Sequence, residues 1–362
     1  LEDEEGFQYP YIDETKCIDC GLCKKECILN NPILKNNLPL VYACKNKGDK
    51  IRMESSSGGI FSVLADYVLA LNGVVYGATF DENFNVVHEK IMSKTELFKL
   101  RGSKYVQSYL GNIFSSVLND LINDKYVLFV GTPCQIASLK SYLLFKKQNI
   151  NKLILCDLIC HGVPSPLLWR EHIKNIKKNM KWYYFRTKEN GWNNHTEKIV
   201  YKNNSVDFNS AFSQSYKYLF HTDKTLRPSC YECSFTSINR VSDITIGDYW
   251  GIKINDFDDN KGVSLVLLNT ELGKKVFEAI KNNIIYVKSN EKDCLQVNLI
   301  RPTEEPYDRK KFWKYYYTKG YDYVLKKYTP LGEKYIIKNK IKRNVSKLIP
   351  IRLKNKIKNI LK

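Results

Sequence analysis

The sequence lacks the long apolar runs of membrane-spanning proteins and the common glycine-rich phosphate motifs. No apolar run approaches the ~18 residues that a transmembrane helix needs, which predicts a soluble or peripheral chain. Neither G-x-G-x-x-G nor G-x-x-x-x-G-K-S/T occurs. A Rossmann fingerprint and a P-loop are therefore excluded, and any nucleotide would have to be bound by other segments.

Acidic residues are scarce at the end of the chain. Residues 301–362 contain 19 Lys and Arg against five Asp and Glu, so they carry +14 of the formal net charge of +19. The rest of the chain is close to neutral, which argues against nucleic-acid binding by the whole protein. Residues 334–362 have no acidic residue and repeat apolar positions three and four apart. We expect amphipathic helices there that contact an anionic membrane surface, with packing against the protein itself as the alternative.

Cysteine, by contrast, is plentiful. The chain has 362 residues, enough for two or three domains, and eleven cysteines, several of them in CxxC-type clusters. This pattern favours metal ligation in a reducing compartment over disulfides, so we expect a cytoplasmic protein.

The most informative cluster is formed by Cys17, Cys20, Cys23 and Cys27, whose spacing is C-x2-C-x2-C-x3-C as in bacterial ferredoxins. Thiolates at this spacing can converge on one 4Fe-4S cluster if the backbone curls around it, and Gly21 permits such a path. The fourth cysteine normally serves the other cluster of a two-cluster domain. A zinc site is the alternative, although zinc prefers paired CxxC knuckles separated by a longer loop.

This motif departs from the ferredoxin pattern in two ways. Ile28 stands where proline usually follows the fourth cysteine, and only one of the two motifs of a two-cluster domain is present. The chain begins with Leu1 rather than methionine. We therefore expect the first half of a two-cluster module upstream of Leu1 in the native reading frame.

Apolar periodicity predicts an α/β layer. Val74–Ile91 has the pattern of a hairpin, and Tyr126–Val130 and Leu153–Ile159 are typical of buried parallel strands. Gly131–Gln135 is expected to be a loop before a helix at Ile136–Leu144. This succession places functional loops at the carboxyl ends of the strands.

A second metal site is expected from four more cysteines. Cys134 and Cys160 follow the two buried strands, and Cys230 and Cys233 form a CxxC pair in a loop. Strands of one parallel sheet would deliver Cys134 and Cys160 to the same edge. The alternative is two buried thiols together with half of a structural zinc site.

Two polar segments are candidates for ligand binding. Ser55–Gly59 precedes a helix, where free amides and the helix dipole favour phosphate, although serine-rich N-caps are common without any ligand. In the segment 101–108, Lys104 and Arg101 could neutralise phosphates, with Tyr105 and Gln107 beside a ring system. The alternative for that segment is a solvated loop.

Three further side chains carry candidate chemistry. His161 follows Cys160 at a strand end, where it could tune a flavin or relay protons, or simply pack or cap. Asp243 and Asp248 flank an apolar stretch and could hold ribose or backbone groups, or cap turns.

Taken together, the motifs resemble the beta subunit family of coenzyme F420 hydrogenases and dehydrogenases, and weak compositional features favour its bacterial branch. The resemblance covers about residues 3–300. The segments that carry it are Cys17–Cys27, Ser55–Gly59, Gly102–Ser108, Gly131–Gln135, Cys160–Pro166, Arg227–Cys233, Asn239–Asp243 and Gly247–Gly251.

The resemblance implies the fold class α+β / α/β, with a ferredoxin-like iron–sulfur segment followed by a mixed α/β flavin-binding body and a basic helical tail. The implied domains are residues 1–45 (a partial bacterial-ferredoxin-type 4Fe-4S segment), 46–125 (the N-terminal domain of the family), 126–300 (the C-terminal domain with flavin and a 4Fe-4S site) and 301–362 (the tail).

The resemblance also implies FAD and 4Fe-4S clusters as cofactors. The expected cluster ligands are Cys17, Cys20, Cys23, Cys27, Cys134, Cys160, Cys230 and Cys233. The expected flavin contacts are Ser55, Ser56, Ser57, Gly58, Gly59, Gly102, Ser103, Lys104, Tyr105, Gln107, Ser108, Thr132, Asn239, Arg240, Asp243 and Asp248. His161 is the expected catalytic residue.

The expected function is an oxidoreductase that passes electrons between a reduced carrier and an unidentified substrate through FAD and the clusters. The carrier would be ferredoxin, a partner redox subunit or a deazaflavin such as coenzyme F420, and the branch suggests a link to surface polysaccharide synthesis. A non-catalytic electron-transfer subunit is one alternative, which would show no turnover without its partner. A basic, zinc-stapled binding protein is the other, and it would be colourless.

Overall fold

The computed structural model describes residues 1–37, 39–254 and 256–332. The strands are β1 Leu40–Asn46, β2 Val74–Phe80, β3 Val86–Ile91, β4 Val127–Gly131, β5 Leu153–Leu158, β6 Met180–Thr187, β7 Thr196–Tyr201, β8 Val206–Phe208, β9 Ile244–Asp248, β10 Ser264–Leu268 and β11 Ile284–Lys288. The helices are α1 Leu22–Glu26, α2 Asp49–Met53, α3 Ile60–Ala70, α4 Leu97–Leu100, α5 Ile113–Ile122, α6 Pro133–Phe145, α7 Pro166–Ile173, α8 Ser215–Phe220, α9 Glu271–Ile280, α10 Glu291–Cys294, α11 Val297–Ile300, α12 Arg309–Lys319 and α13 Tyr321–Tyr328.

Eight strands of the described residues form one mixed sheet in the order β11-β1-β10-β9-β5-β4-β2-β3. Its centre, β9-β5-β4-β2, is parallel, and the strands on both flanks are antiparallel. The near-continuous apolar composition of β4 and β5 suits strands that are covered on both faces. The predicted mixed α/β class is confirmed, whereas a purely parallel layer describes only the centre of the sheet.

Helices cover both faces of this sheet. On one face, α3 and α9 pack over Leu128 and Ile154. On the other face, α5 and α6 pack over Phe129 and Leu155. Successive residues of β4 and β5 therefore belong to opposite cores, as the period of two in a strand requires.

A smaller antiparallel sheet, β6-β7-β8, packs on α7. The C-terminal helices α12 and α13 lie against α7 and α8 through Phe312 and Trp313, which are 0% and 3% exposed. The first two rings of the aromatic stretch 312–317 thus serve the core and are not free to anchor in a membrane.

The helix α6 differs from its prediction. It begins at Pro133 instead of Ile136, because Thr132 is its N-cap and the Gln135 side chain accepts a hydrogen bond from the Thr132 amide at 2.9 Å. Cys134 therefore lies in the first turn of a helix and not in a loop.

The large sheet crosses the domain boundary expected at residue 125, since β2 and β3 come from one side of it and β4 and β5 from the other. The proposed domains stay a prediction. The segment 334–362, with its predicted amphipathic helices, lies outside the described residues. Among the residues that are described, no helix is both long enough and apolar enough to cross a membrane.

Candidate functional site

A cleft opens at the carboxyl ends of the parallel strands β4, β5 and β9. The space between its walls measures about 1750 Å³, a volume that includes the part open to solvent. Its walls include the turn before α3, the segment 101–108, the loops after β4 and β5, and Trp250. Open α/β sheets bind ligands at this edge because the loops that follow their parallel strands meet there.

Most of the predicted site residues border the cleft. They are Ser55, Ser56, Ser57, Gly59, Gly102, Ser103, Lys104, Tyr105, Ser108, Thr132, Asp248, Cys160 and His161. Their individual roles stay predictions, but segments more than a hundred residues apart in the sequence meet around one space.

Five of the predicted flavin contacts do not line the cleft, and most of them have another structural role. A Cβ on Gly58 would meet the carbonyl oxygen of Cys44 at 2.4 Å, so Gly58 allows the turn to press against β1. Gln107 holds the N-terminal segment instead, because its Oε1 accepts a hydrogen bond from the Gln8 amide at 2.9 Å.

The other three are Asn239, Arg240 and Asp243, which precede β9 and do not line the cleft. Asp243 accepts hydrogen bonds from the Leu155 amide at 2.9 Å and from Thr270 Oγ1 at 2.7 Å, which ties β5 to the start of α9. Arg240 is buried, with its Nη1 4.0 Å from Asp157 Oδ2. The Oδ1 of the neighbouring Asn239 is buried without a hydrogen-bond partner among the described residues.

The serine turn, residues 55–59, is hydrogen-bonded to the segment 101–108 and to the side chain of Lys188. Ser56 Oγ accepts hydrogen bonds from the amide and the hydroxyl of Ser103, both at 2.9 Å. Lys188 is 3% exposed, and its Nζ donates to the carbonyl oxygens of Arg52 at 2.6 Å, Lys261 at 2.7 Å and Ser57. No side chain of the described residues caps α3, so amides of its first turn are available to a ligand.

Lys104 lines the cleft, and whether its amine is protonated depends on its surroundings. Its Nζ donates to the carbonyl oxygens of Lys99 at 2.8 Å and Arg101 at 3.0 Å. Burial lowers the pKa of Lys104 to about 7. An anionic group bound beside it would favour the protonated form, so ligand binding and the charge of Lys104 are linked.

His161 is oriented by a carboxylate and an aromatic ring. Its Nε2 lies 2.6 Å from Asp223 Oδ1, and its ring meets Phe220 edge-on with centroids 5.2 Å apart. Phe220 in turn stacks on Tyr105 at 4.7 Å. The contact with Asp223 fixes the orientation of the His161 ring at the wall of the cleft.

Asp248 reaches the cleft but its carboxylate is already engaged. Its Oδ1 accepts a hydrogen bond from Trp192 Nε1 at 2.8 Å, and Arg186 binds Oδ2. The Arg186 guanidinium lies 5.0 Å from the centre of the Trp250 ring, which stacks on Trp192 at 4.8 Å. Asp248 therefore stiffens an aromatic wall, and each of its carboxylate oxygens keeps a lone pair that could still accept a hydrogen bond from a ligand.

Sequence reasoning missed several residues of the cleft, including His88, Gln135, His195 and Phe220. The histidines stand alone in the sequence and belong to no motif. Gln135 had one usable signal, because Thr132-x-x-Gln135 has the spacing of a capping box.

The second set of cysteines gathers beside the cleft. Cys134 lies at the start of α6, Cys160 follows β5, and Cys230 ends a short 3-10 helix, Pro228–Cys230. Burial raises the pKa of Cys160, and the neighbouring Cys230, Cys134 and Cys233 thiols raise it further. The described residues hold no group of three or more His, Cys, Asp or Glu side chains close enough for a single metal ion.

The segment with the first set of cysteines, Cys17–Cys27, contacts α6, the helix that carries Cys134. Gly21, with φ 69°, precedes α1, which carries Cys23, and Cys17 and Cys20 are exposed. Ser141 of α6 donates a hydrogen bond to the Glu26 carbonyl oxygen at 3.2 Å. Seven residues separate Ser141 from Cys134, which is about 10 Å along a helix. One helix therefore links the two cysteine sets.

The comparison with protein families agrees with the resemblance found in the sequence. Residues 124–293 match the family model for the C terminus of the coenzyme F420 hydrogenase/dehydrogenase beta subunit. Among solved structures, a chain of the F420-reducing [NiFe] hydrogenase complex from Methanosarcina barkeri aligns with a TM-score of 0.47 and 17% identity, over 71% of this chain and 84% of that chain. No curated protein matches the sequence.

Proposed function

We propose that this protein is an iron–sulfur flavoprotein oxidoreductase, because residues 124–293 match the C-terminal family of coenzyme F420 hydrogenase/dehydrogenase beta subunits. The observation that carries the proposal is the cleft, in which the serine turn, the segment 101–108 and the loop containing Cys160 and His161 meet. FAD is the proposed ligand of the cleft. The proposed reaction moves electrons between a reduced carrier and a substrate.

The residues present fit a flavin nucleotide. Amides at the start of α3, the Ser56 and Ser103 pair and the Lys104 ammonium suit its phosphates, and the Tyr105–Phe220 stack offers a flat apolar wall to its ring. Bound there, a flavin would convert two-electron hydride chemistry into the single-electron steps that an iron–sulfur cluster accepts.

A 4Fe-4S cluster is the proposed occupant of the cysteines beside the cleft. The thiols of Cys230, Cys134 and Cys233 act electrostatically on that of Cys160, so these side chains lie near one another. Four thiolates are the ligand set of a 4Fe-4S cluster. Cys17, Cys20, Cys23 and Cys27 are the proposed ligands of further iron–sulfur chemistry, and their segment is attached to α6 by the hydrogen bond from Ser141 to Glu26.

The side chains of the cleft would manage protons and water around the reaction. With Nε2 directed at Asp223, His161 has Nδ1 available to hold or deliver a proton to a substrate in the cleft. Trp250, held by Trp192 and Arg186, and the Tyr105–Phe220 stack would keep water from the reacting groups.

The proposed electron carrier is ferredoxin, a partner redox subunit or a deazaflavin such as coenzyme F420. In a bacterial member of the family, the proposed substrate belongs to surface polysaccharide synthesis. We propose the cytoplasm as its location, with residues 334–362 contacting the inner face of the membrane.

The test is reduction of the anaerobically purified full chain. Reduced ferredoxin or reduced coenzyme F420 should bleach the flavin absorbance of the protein and produce the paramagnetic signal of a reduced cluster. His161→Gln should keep the flavin and the iron, and should still be reduced, while turnover with any acceptor substrate falls. Failure of both carriers to reduce a flavin-loaded protein would exclude ferredoxin and coenzyme F420 and leave a partner redox subunit as the carrier. Failure of dithionite as well would contradict the proposed electron path.

A further inference from the structure

We propose that Ser108 and Gln135 together recognise an amide-type edge, a C=O beside an N–H, on the ring of the bound cofactor, and that His88 sets the direction of their hydrogen bonds. The inference deepens the proposed function and rests on it, because the ring in question is the pyrimidine-dione end of a flavin. Nothing in the sequence motifs assigns His88 or Gln135 a role.

The tautomer of His88 follows from its partners. His88 is 5% exposed on β3, and its ring stacks on Phe129 with centroids 5.4 Å apart. Its Nε2 lies 3.1 Å from the carbonyl oxygen of Val130. A carbonyl oxygen can only accept, so Nε2 carries a proton. Burial lowers the pKa of His88 to about 4, which leaves the ring neutral and its Nδ1 without a proton at neutral pH.

The direction of the next hydrogen bond is then fixed. Ser108 Oγ lies 2.9 Å from His88 Nδ1, which can only accept, so the hydroxyl proton of Ser108 points to His88. Ser108 Oγ also accepts a hydrogen bond from Gln135 Nε2 at 2.9 Å. With its proton and one lone pair used, the oxygen has one lone pair left, and it can only accept from a ligand.

The Gln135 amide is fixed by the same reasoning. Its Oε1 accepts from the Thr132 amide at 2.9 Å, so the nitrogen end must face Ser108. The second N–H of that nitrogen is free to donate. His88, Ser108, Thr132 and Gln135 all border the cleft.

The wall of the cleft therefore presents an acceptor and a donor side by side, 2.9 Å apart. The complementary ligand edge is an N–H next to a C=O. In a flavin, only the pyrimidine-dione end has this pattern, since the opposite end of the ring system carries methyl groups. Because the hydroxyl of Thr132 lies 3.2 Å from Cys134 Sγ, the proposed contact turns this end of the ring toward the start of α6.

The test compares FAD with its analogue methylated at the ring nitrogen N3, which has no N–H to donate. Both bind through the same phosphates, ribose and adenine, so their difference reports the ring edge alone. The full chain, freed of flavin, is titrated with each compound and the change in flavin fluorescence is followed. Wild type should bind FAD about 10-fold more tightly than the methylated analogue, the scale of one good hydrogen bond in a dry site.

The variants separate the proposed pair from a general loss of structure. Ser108→Ala should bind the two compounds alike, because the acceptor is gone. His88→Phe keeps a ring on Phe129 but frees the Ser108 hydroxyl to rotate, so the preference should shrink. Ser116→Ala, at a half-buried position of α5 that does not line the cleft, should keep the full preference.

Each outcome decides something. Equal binding of the two flavins by wild type, or a preference that survives Ser108→Ala, would overturn the inference and leave the flavin proposal standing. No binding of either flavin would overturn both. Uridine diphosphate has the same imide edge without the flavin ring system, and its binding as tightly as FAD would show a pyrimidine site and contradict the flavin assignment.

Discussion

At the scale of single residues, His88 links the chemistry of the cleft to acid stability. Its pKa is lowered from 6.5 to about 4 by burial, so the folded protein resists protonation between these values while the unfolded chain accepts it. Stability is therefore full above pH 6.5 and is lost as the pH falls through this window.

We predict that the free energy of unfolding of wild type declines as the pH is lowered through that window, by at most about 3 kcal/mol from this histidine. His88→Phe should be less stable near neutral pH but should decline less steeply. Urea denaturation across the window measures both slopes. Parallel curves for the two proteins would mean that His88 is not held neutral by the fold.

Single cysteines also give a sharp comparison, because Cys156 and Cys160 lie four residues apart on one strand and its following loop. Cys160 borders the cleft beside Cys134 and Cys230, whereas Cys156 is 0% exposed in the core of the sheet. Cys160→Ala should remove the iron and sulfide of one cluster. Cys156→Ala should keep both and lose only a modest amount of stability from a small cavity. Equal iron loss in the two variants would indicate misfolding, and no loss in either would exclude Cys160 as a ligand.

At the scale of elements, the serine turn depends on a lysine that the sequence did not single out. Lys188 follows β6 and donates to the carbonyl oxygens of Arg52, Ser57 and Lys261. These carbonyls lie far from Lys188 in the chain, so no local pattern announces the contact.

Lys188→Met should therefore remove the side-chain donor of the part-buried Ser57 and Lys261 carbonyl oxygens and one of the donors to the Arg52 carbonyl oxygen. We expect this to cost about 2–4 kcal/mol of folding free energy and to weaken FAD binding as the turn loosens. Lys198→Met is the matched control. Lys198 pairs with the exposed Glu189 at the surface, where an ion pair contributes less than about 1 kcal/mol. Chemical denaturation and flavin titration measure the two effects. A Lys188 variant that behaves like the control would show that the turn holds itself.

At the scale of the whole molecule, the first ten residues fasten the cysteine-rich segment to the body. Phe7 is 0% exposed, and Glu5 pairs with Arg309 of α12. The Ser165 hydroxyl donates to the Glu5 carbonyl oxygen, and the Tyr9 ring lies 4.1 Å from the Arg227 guanidinium, three residues before Cys230. The two cysteine sets are thus connected at the N-terminal segment as well as through α6.

Phe7→Ala should cost about 3–5 kcal/mol and should increase hydrogen exchange in residues 11–35 more than in β4 and β5. Ile12→Ala, at a side chain that is 53% exposed, should change neither quantity much. Exchange that rises equally throughout the chain would mean that Phe7 supports the global fold and not this attachment in particular.

The sequence anticipated the features that depend on local pattern. The strands β4 and β5 were predictable because buried parallel strands are continuous apolar runs. The edge where their following segments meet was predictable too, although the loop expected after β4 is largely the first turn of α6. The pairing of His161 with Asp223 was not predictable, because the two residues lie 62 positions apart in the sequence and belong to no common motif. The sequence also left open what Asp243 contacts. Its carboxylate accepts hydrogen bonds from Leu155 and Thr270, and its role as a flavin contact stays a prediction.

The central claim is that the chain carries a flavin and iron–sulfur clusters, and the most direct measurement is the cofactor content of the full chain purified without oxygen. We expect a brown protein in which iron and acid-labile sulfide are present in equal amounts together with FAD. A colourless protein that contains zinc in place of iron and no flavin would contradict it.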